Sequence, residues 1–180
     1  VLAQGGREGV AILDMGCGSG ISGLSLAHHL ADRGARVTLA DVSGDALALA
    51  RENAERLLPG AASLTFVESD LFSGLAADRF DLVVANLPYI PRSAETALSR
   101  EVLRDPPLAL YGGETGTEVM IRFLDEVSDH LKPGGKIAME FGIEQGPELA
   151  GLAEARGFSE VTLRKDLGGI ERFLFATKSD

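Results

Sequence analysis

The sequence predicts an α/β fold built on a seven-stranded, mostly parallel sheet with helices on both faces and a final antiparallel strand. Short apolar runs, typical of buried parallel strands, alternate along the chain with segments whose apolar residues have helical spacing. Many glycines follow these apolar runs, where α/β folds make their turns. Such alternation implies βαβ units with right-handed crossovers, which place helices on both faces of the sheet.

The first half of the chain predicts four strands and two helices. We expect strands at 10–14, 36–40, 63–67 and 80–85, and helices at 21–33 and 43–58. Gly34 is a candidate C-cap of the first helix, and Ser43 is a candidate N-cap of the second. Pro59 and Gly60 should end the second helix, because proline cannot continue it.

The second half begins with a proline-containing stretch, 90–114, that we expect to be irregular. A helix is predicted at 117–131, ended by the Lys-Pro-Gly-Gly sequence at 132–135. A strand at 136–141, a helix at 145–156 and closing strands at 160–163 and 172–177 complete the expected fold.

Composition limits the class of protein. The 180 residues suit one domain spanning 1–180, and a single cysteine, which cannot form an internal disulfide, favours the cytoplasm. No apolar run approaches the roughly 20 residues of a membrane helix, and no signal-peptide pattern is present. The net charge of −10 argues against a nucleic-acid partner, which usually needs a basic face. No His/Cys/Asp cluster has metal-ligand spacing, so no metal is expected.

Polar side chains stand at the ends of four predicted strands. Asp14, Asp41, Asp70 and Asn86 each follow an apolar run. In open parallel sheets, ligands bind outside the carboxyl ends of the strands. This shared edge is therefore the candidate site.

A glycine-rich loop follows the first strand directly. Its candidate cofactor-binding residues are Gly16, Cys17, Gly18 and Gly20, with Cys17 a small loop residue rather than a nucleophile. Glycines let the backbone turn tightly and approach a ligand, and the next helix offers free N–H groups. Gly18, Gly20 and Gly23 also fit the G-x-G-x-x-G pattern. The loop alone therefore leaves a dinucleotide and S-adenosylmethionine equally open.

The candidate cofactor site is completed by six further residues: Asp14, Asp41, Val42, Asp70, Leu71 and Asn86. The Asp41 carboxylate can accept hydrogen bonds from two vicinal ribose hydroxyls, and Val42 lies beside it. Asp70 can accept from an adenine amino group, with Leu71 against the ring. Asp14 either holds a methionine ammonium or braces the glycine loop, and the sequence leaves both roles open.

The sequence Asn86-Leu87-Pro88-Tyr89 follows the fourth strand. It resembles the Asn/Asp-Pro-Pro-Tyr signature of methyltransferases that modify nitrogen conjugated to a π system. Asn86 and a backbone carbonyl would accept both N–H bonds of the acceptor, Pro88 would orient it, and Tyr89 would stack on the planar group. The catalysis then consists of positioning and electrostatics.

Most of the chain resembles the HemK/PrmC family of protein glutamine methyltransferases. The matching stretches lie at 12–20, 70–72, 80–90, 101–116, 131–135, 140–145 and 166–169, and include Leu110-Tyr-Gly-Gly113. The resemblance implies a Rossmann-like class I methyltransferase fold and S-adenosyl-L-methionine as the cofactor, released as S-adenosyl-L-homocysteine. It also implies methylation of the side-chain amide of the Gln in the Gly-Gly-Gln loop of peptide-chain release factors.

The chain departs from this family in two respects. Leu87 stands where the family usually has proline, and the resulting Asn-Leu-Pro-Tyr also occurs in ribosomal RNA adenine dimethylases. We also expect the chain to lack the family's N-terminal helical domain. Three alternatives stay open: a nucleic-acid adenine methyltransferase, a dinucleotide-dependent oxidoreductase and a non-catalytic cofactor-binding module. The oxidoreductase leaves Asn-Leu-Pro-Tyr unexplained.

Overall fold

A computed structural model describes residues 9–60, 63–75 and 78–179, so residues 1–8 of the expected domain lie outside the described part. The strands are β1 (Ala11–Met15), β2 (Arg36–Asp41), β3 (Leu64–Glu68), β4 (Phe80–Ala85), β5 (Ile90–Pro91), β6 (Tyr111–Gly113), β7 (Leu131–Glu140), β8 (Phe158–Lys165) and β9 (Glu171–Lys178). The helices are α1 (Ile21–His29), α2 (Gly44–Leu57), α3 (Pro107–Leu110), α4 (Glu118–Glu126) and α5 (Gly146–Ala155). None of the helices in these described ranges is long and apolar enough to span a membrane.

Seven strands form one sheet in the order β3-β2-β1-β4-β7-β9-β8. Every neighbouring pair is parallel except the two pairs that include β9. The predicted seven-stranded, mostly parallel sheet with an antiparallel final strand is confirmed. The chain runs outward from β1 to β3 and returns to β4 on the other side of β1. The carboxyl ends of β1 and β4 therefore border the crevice where such sheets bind ligands.

Helices cover both faces of this sheet, as predicted. Ile12 and Leu39 pack in the core that α1 and α2 complete, whereas Leu13, Val83 and Phe123 belong to the larger core formed with α4 and α5. Successive side chains of a strand point to opposite faces, so central strands feed both cores. All five residues of β1 are buried for this reason, and their apolar run is continuous rather than alternating.

The predicted Ser43 N-cap is confirmed, whereas Gly34 ends the 3₁₀ turn Ala31–Arg33 and α1 itself has Leu30 as its C-cap. The ends of two helices also differ from the prediction. Gly34 has φ +61°, and the Ser43 hydroxyl accepts a hydrogen bond from the Ala46 N–H at 3.2 Å. The segments predicted as helices at 21–33 and 117–131 both tighten to 3₁₀ turns near their ends, at Ala31–Arg33 and Val127–His130.

Two further segments differ from the sequence-based prediction. Strand β7 begins at Leu131 and passes through the Lys-Pro-Gly-Gly sequence, with a register shift against β4 between Phe80 and Leu82. The stretch 90–114 is not wholly irregular, because β5 and β6 form a small parallel ladder within it. This ladder lies next to the predicted acceptor loop.

Candidate cofactor and acceptor site

The glycine loop between β1 and α1 is tied to the end of β2. The N–H groups of Gly16 and Cys17 both donate to the Ala40 carbonyl, at 2.8 and 3.0 Å. Gly16, Gly18 and Gly20 have φ values of +67°, +53° and +82°, which side chains rarely tolerate. The loop is therefore a tight turn that depends on its glycines.

Asp14 braces the start of α1 from inside the protein. Its side chain is buried, and its carboxylate accepts a hydrogen bond from the Gly23 N–H at 2.7 Å. A Cβ on Gly23 would lie 2.9 Å from the same oxygen, so close contact favours glycine there. Burial raises the pKa of Asp14 to about 6, against the lowering effect of the Gly23 hydrogen bond, and the charge of Asp41 adds to the rise. The structure thus provides the bracing role.

Asp41, at the end of β2, joins the glycine loop to α2. One carboxylate oxygen accepts from the Gly18 N–H and the other from the Ser43 N–H, both at 2.9 Å. A carboxylate has about four acceptor positions, so each oxygen can accept a further hydrogen bond. Val42 is 47% exposed beside it and offers an apolar surface.

The loop after β3 presents Asp70 and buries Leu71. Leu71 has φ +46° and packs in the core, and the Ser69 hydroxyl donates to its carbonyl at 2.5 Å. This geometry leaves the Asp70 carboxylate at the surface, where Arg122 of α4 pairs with both of its oxygens at 3.1–3.2 Å. Sequence reasoning missed Arg122, which lies far from Asp70 along the chain.

The acceptor loop after β4 touches the glycine loop. A Cβ on Gly16 would lie 3.0 Å from the Leu87 side chain and 3.3 Å from the Asn86 carbonyl oxygen. Leu87 is buried, so the residue that departs from the family pattern fills the core below the glycine loop, while Asn86 is exposed. Asp14, Asn86 and Glu140 share a cavity of about 270 Å³. The two predicted halves of the site are therefore adjacent.

Tyr89 closes the acceptor loop against β7 and β9. Its hydroxyl donates to a Glu140 carboxylate oxygen at 3.4 Å. Burial raises the pKa of the Tyr89 hydroxyl, the charge of Glu140 adds to the rise, and Arg172 opposes it. Glu140 and Arg172 were not assigned roles from the sequence. The only sequence signal for Glu140 was its place in the family stretch at 140–145.

Two glycines support the acceptor loop from behind. A Cβ on Gly112 would lie 2.4 Å from the Pro88 carbonyl oxygen, and one on Gly116 would lie 2.4 Å from that of Tyr89. The Glu118 carboxylate accepts from the N–H groups of Thr115 and Gly116, both at 2.9 Å. These hydrogen bonds, led by that from Thr115, lower the pKa of Glu118 to about 2. The Leu-Tyr-Gly-Gly stretch thus shapes the acceptor loop.

The glycine loop, the acidic strand ends and the acceptor loop all fall in or beside a region that matches a known family. A family described as a methyltransferase domain matches residues 12–104, just over half of the chain. The chain belongs to this methyltransferase domain family. It is also 38% identical over 174 residues to the release factor glutamine methyltransferase of Moorella thermoacetica. That alignment covers 96% of this chain but 60% of the relative, so the chain spans less than two thirds of the relative's length. The family resemblance seen in the sequence is confirmed.

Solved structures share the fold of this methyltransferase domain. A methyltransferase from Pyrococcus furiosus has a TM-score of 0.72 at 23% identity, covering 97% of this chain and 78% of that one. A magnesium protoporphyrin IX methyltransferase from Synechocystis, solved with bound SAM, has a TM-score of 0.64 at 18% identity, covering 95% and 71%. At these identities the likeness establishes the fold alone.

Proposed function

We propose that the chain is the catalytic domain of an S-adenosylmethionine-dependent methyltransferase that modifies the side-chain amide nitrogen of a protein glutamine. The observation that carries the proposal is the close approach of Leu87 and the Asn86 carbonyl to Gly16, which leaves little room for a side chain there and sets the acceptor loop beside the glycine loop. The name of the relative from Moorella thermoacetica supports a peptide-chain release factor as the substrate. Such a partner, together with the single cysteine, favours the cytoplasm.

The residues at the strand ends fit S-adenosylmethionine. Asp41 would accept from the ribose hydroxyls and Val42 would pack beside them, while Asp70 would accept from the adenine amino group. Leu71 would contribute through its backbone, since its side chain packs in the core. Gly16, Cys17, Gly18 and Gly20 would line the methionine end, near Asp14. The cofactor supplies a methyl group on a positively charged sulfur, whose bond to carbon breaks as the bond to nitrogen forms.

The acceptor amide needs help, because its nitrogen lone pair is delocalised into the carbonyl. The Asn86 side-chain oxygen would accept one N–H of this amide, and a backbone carbonyl would accept the other. The carbonyl oxygens of Pro88 and Tyr89 lie close to Gly112 and Gly116, respectively. The Leu87 carbonyl is therefore our candidate for the acceptor of the second N–H. Tyr89 would pack on the planar group. These contacts align the nitrogen with the methyl group and stabilise positive charge on it, and the extra proton then leaves to water.

The test offers tritium-labelled S-adenosylmethionine to the protein with a release factor and structured RNA in the same reaction. We expect the label on the Gln of the Gly-Gly-Gln loop, located by mass spectrometry, and its loss when that Gln is replaced by Glu. Label on RNA adenine with none on the protein would replace this proposal with the adenine alternative. Tight NAD binding without any response to S-adenosylmethionine would overturn the methyltransferase proposal itself.

A further inference from the structure

Gln145 makes a two-point bridge behind the acceptor loop. Its side-chain amide donates to the Tyr89 carbonyl at 3.0 Å and accepts from the Gly142 N–H at 2.7 Å. We infer that Gln145 is a positioning residue, which holds the acceptor loop at the exit of β7 in the geometry needed for methyl transfer. This inference deepens the proposed function, on which its kinetic part rests.

The contacts of Gln145 differ from those of an ordinary helix cap. Gln145 is the N-cap residue of α5, but its side chain makes no capping hydrogen bond to that helix. N-cap positions favour Ser, Thr, Asp or Asn, whose short side chains reach the first turn of the helix. The longer Gln side chain instead spans from α5 to Tyr89, which is 56 residues away in the chain. Helix initiation therefore does not account for this residue.

The space around the bridge is closely fitted. A Cβ on Gly142 would lie 2.8 Å from the Gln145 amide oxygen and 3.2 Å from the Tyr89 ring. A Cβ on Gly116 would lie 3.1 Å from the Gln145 amide nitrogen. Gln145 is half-buried in these closely packed surroundings. Removing its amide would leave the Gly142 N–H and the Tyr89 carbonyl without these partners. Unpaired polar groups in such a site favour movement of the loop toward water.

The kinetic test replaces Gln145 with Met, which has a similar length and no amide. A loop displaced by about 1 Å is expected to lower the single-turnover rate on the order of 10- to 100-fold. Affinity for S-adenosylmethionine should stay within about threefold, because the bridge does not touch the glycine loop. The matched control is Glu154→Gln, an exposed change at the other end of α5, which should leave both values unaltered.

Combining Gln145→Met with Asn86→Ala separates positioning from a general loss of structure. If Gln145 acts through the acceptor loop, Gln145→Met should lower the single-turnover rate by less than about threefold in the Asn86→Ala background. An equal fold-loss of this rate with and without Asn86→Ala would overturn the inference. Should Gln145→Met not fold, Gln145→Glu serves instead: it keeps an acceptor for Gly142 and, when ionised, cannot donate to the Tyr89 carbonyl.

Hydrogen exchange tests the bridge without any substrate. We expect the backbone N–H groups of Asn86, Leu87, Tyr89, Ile90 and Gly142 to exchange at least about tenfold faster in Gln145→Met. The glycine loop in this variant, and all of these groups in Glu154→Gln, should exchange as in the wild type. Unchanged exchange would refute the inference whatever the substrate is. Faster exchange in a protein that methylates no glutamine would instead sustain the bridge and refute the proposed function.

Discussion

Replacing Asp14 by Asn should make the free energy of unfolding less sensitive to pH. In the folded protein, burial raises the Asp14 pKa from 3.8 to about 6. Between these values the folded state keeps a proton that the unfolded state has released, so the stability of the wild type falls as pH rises through this window. Asparagine does not titrate there, yet its amide oxygen can still accept from the Gly23 N–H.

The size of the effect follows from the shift. A rise from 3.8 to about 6 corresponds to about 3 kcal/mol, of which about 2 kcal/mol falls between about pH 4.5 and 7. The free energy of unfolding of Asp14→Asn, relative to the wild type, should therefore increase by about 2 kcal/mol across this interval.

Urea unfolding followed by far-ultraviolet circular dichroism at several pH values measures this difference. Asp32→Asn, in an exposed 3₁₀ turn, is the control for the loss of one carboxylate. Parallel stability curves for the wild type and Asp14→Asn would show that burial does not raise the pKa of Asp14. The same variant addresses the role of Asp14 left open by the sequence. If Asp14 also pairs with the methionine ammonium, cofactor affinity should weaken below about pH 6 in the wild type but not in the variant.

Substitutions at three other positions test the remaining parts of the site. Asn86→Ala should lower the single-turnover rate on the order of 100- to 1,000-fold and keep cofactor affinity within about threefold. Asn86→Asp should retain more activity than Asn86→Ala. Normal turnover in Asn86→Ala would mean that Asn86 is only a structural strand end. Asp41→Ala should do the reverse and weaken cofactor binding first in calorimetric titration, because its carboxylate also holds the Gly18 N–H. Gly112→Ala should destabilise the protein by about 1–3 kcal/mol in thermal unfolding, because the new Cβ would lie 2.3 Å from the Gly116 carbonyl oxygen. The control is Gly151→Ala, whose Cβ would meet no atom within 4 Å and which should not destabilise the protein.

The parts of the fold that could be predicted depend on local patterns. The strand and helix alternation and the Ser43 cap follow from side chains close together in sequence, and all were confirmed. The ladder of β5 and β6 was missed, because each strand is only two or three residues long and has no periodicity to recognise. The burial of the Leu71 side chain was also not predicted, because it depends on the conformation of the loop after β3, in which Leu71 has φ +46°.

The amino-acid sequence was enough to establish the alternating α/β order, the glycine loop and the edge at which polar side chains gather. It could do so because parallel strands place all their carboxyl ends together, whatever their order in the sheet. The groups that support these residues come from distant parts of the chain and are seen only once it is folded. Arg122 reaches Asp70 across 52 residues, Glu140 reaches Tyr89 across 51, and Gln145 reaches the same residue across 56. Local periodicity carries no information about such contacts, because they arise from how the strands and helices pack.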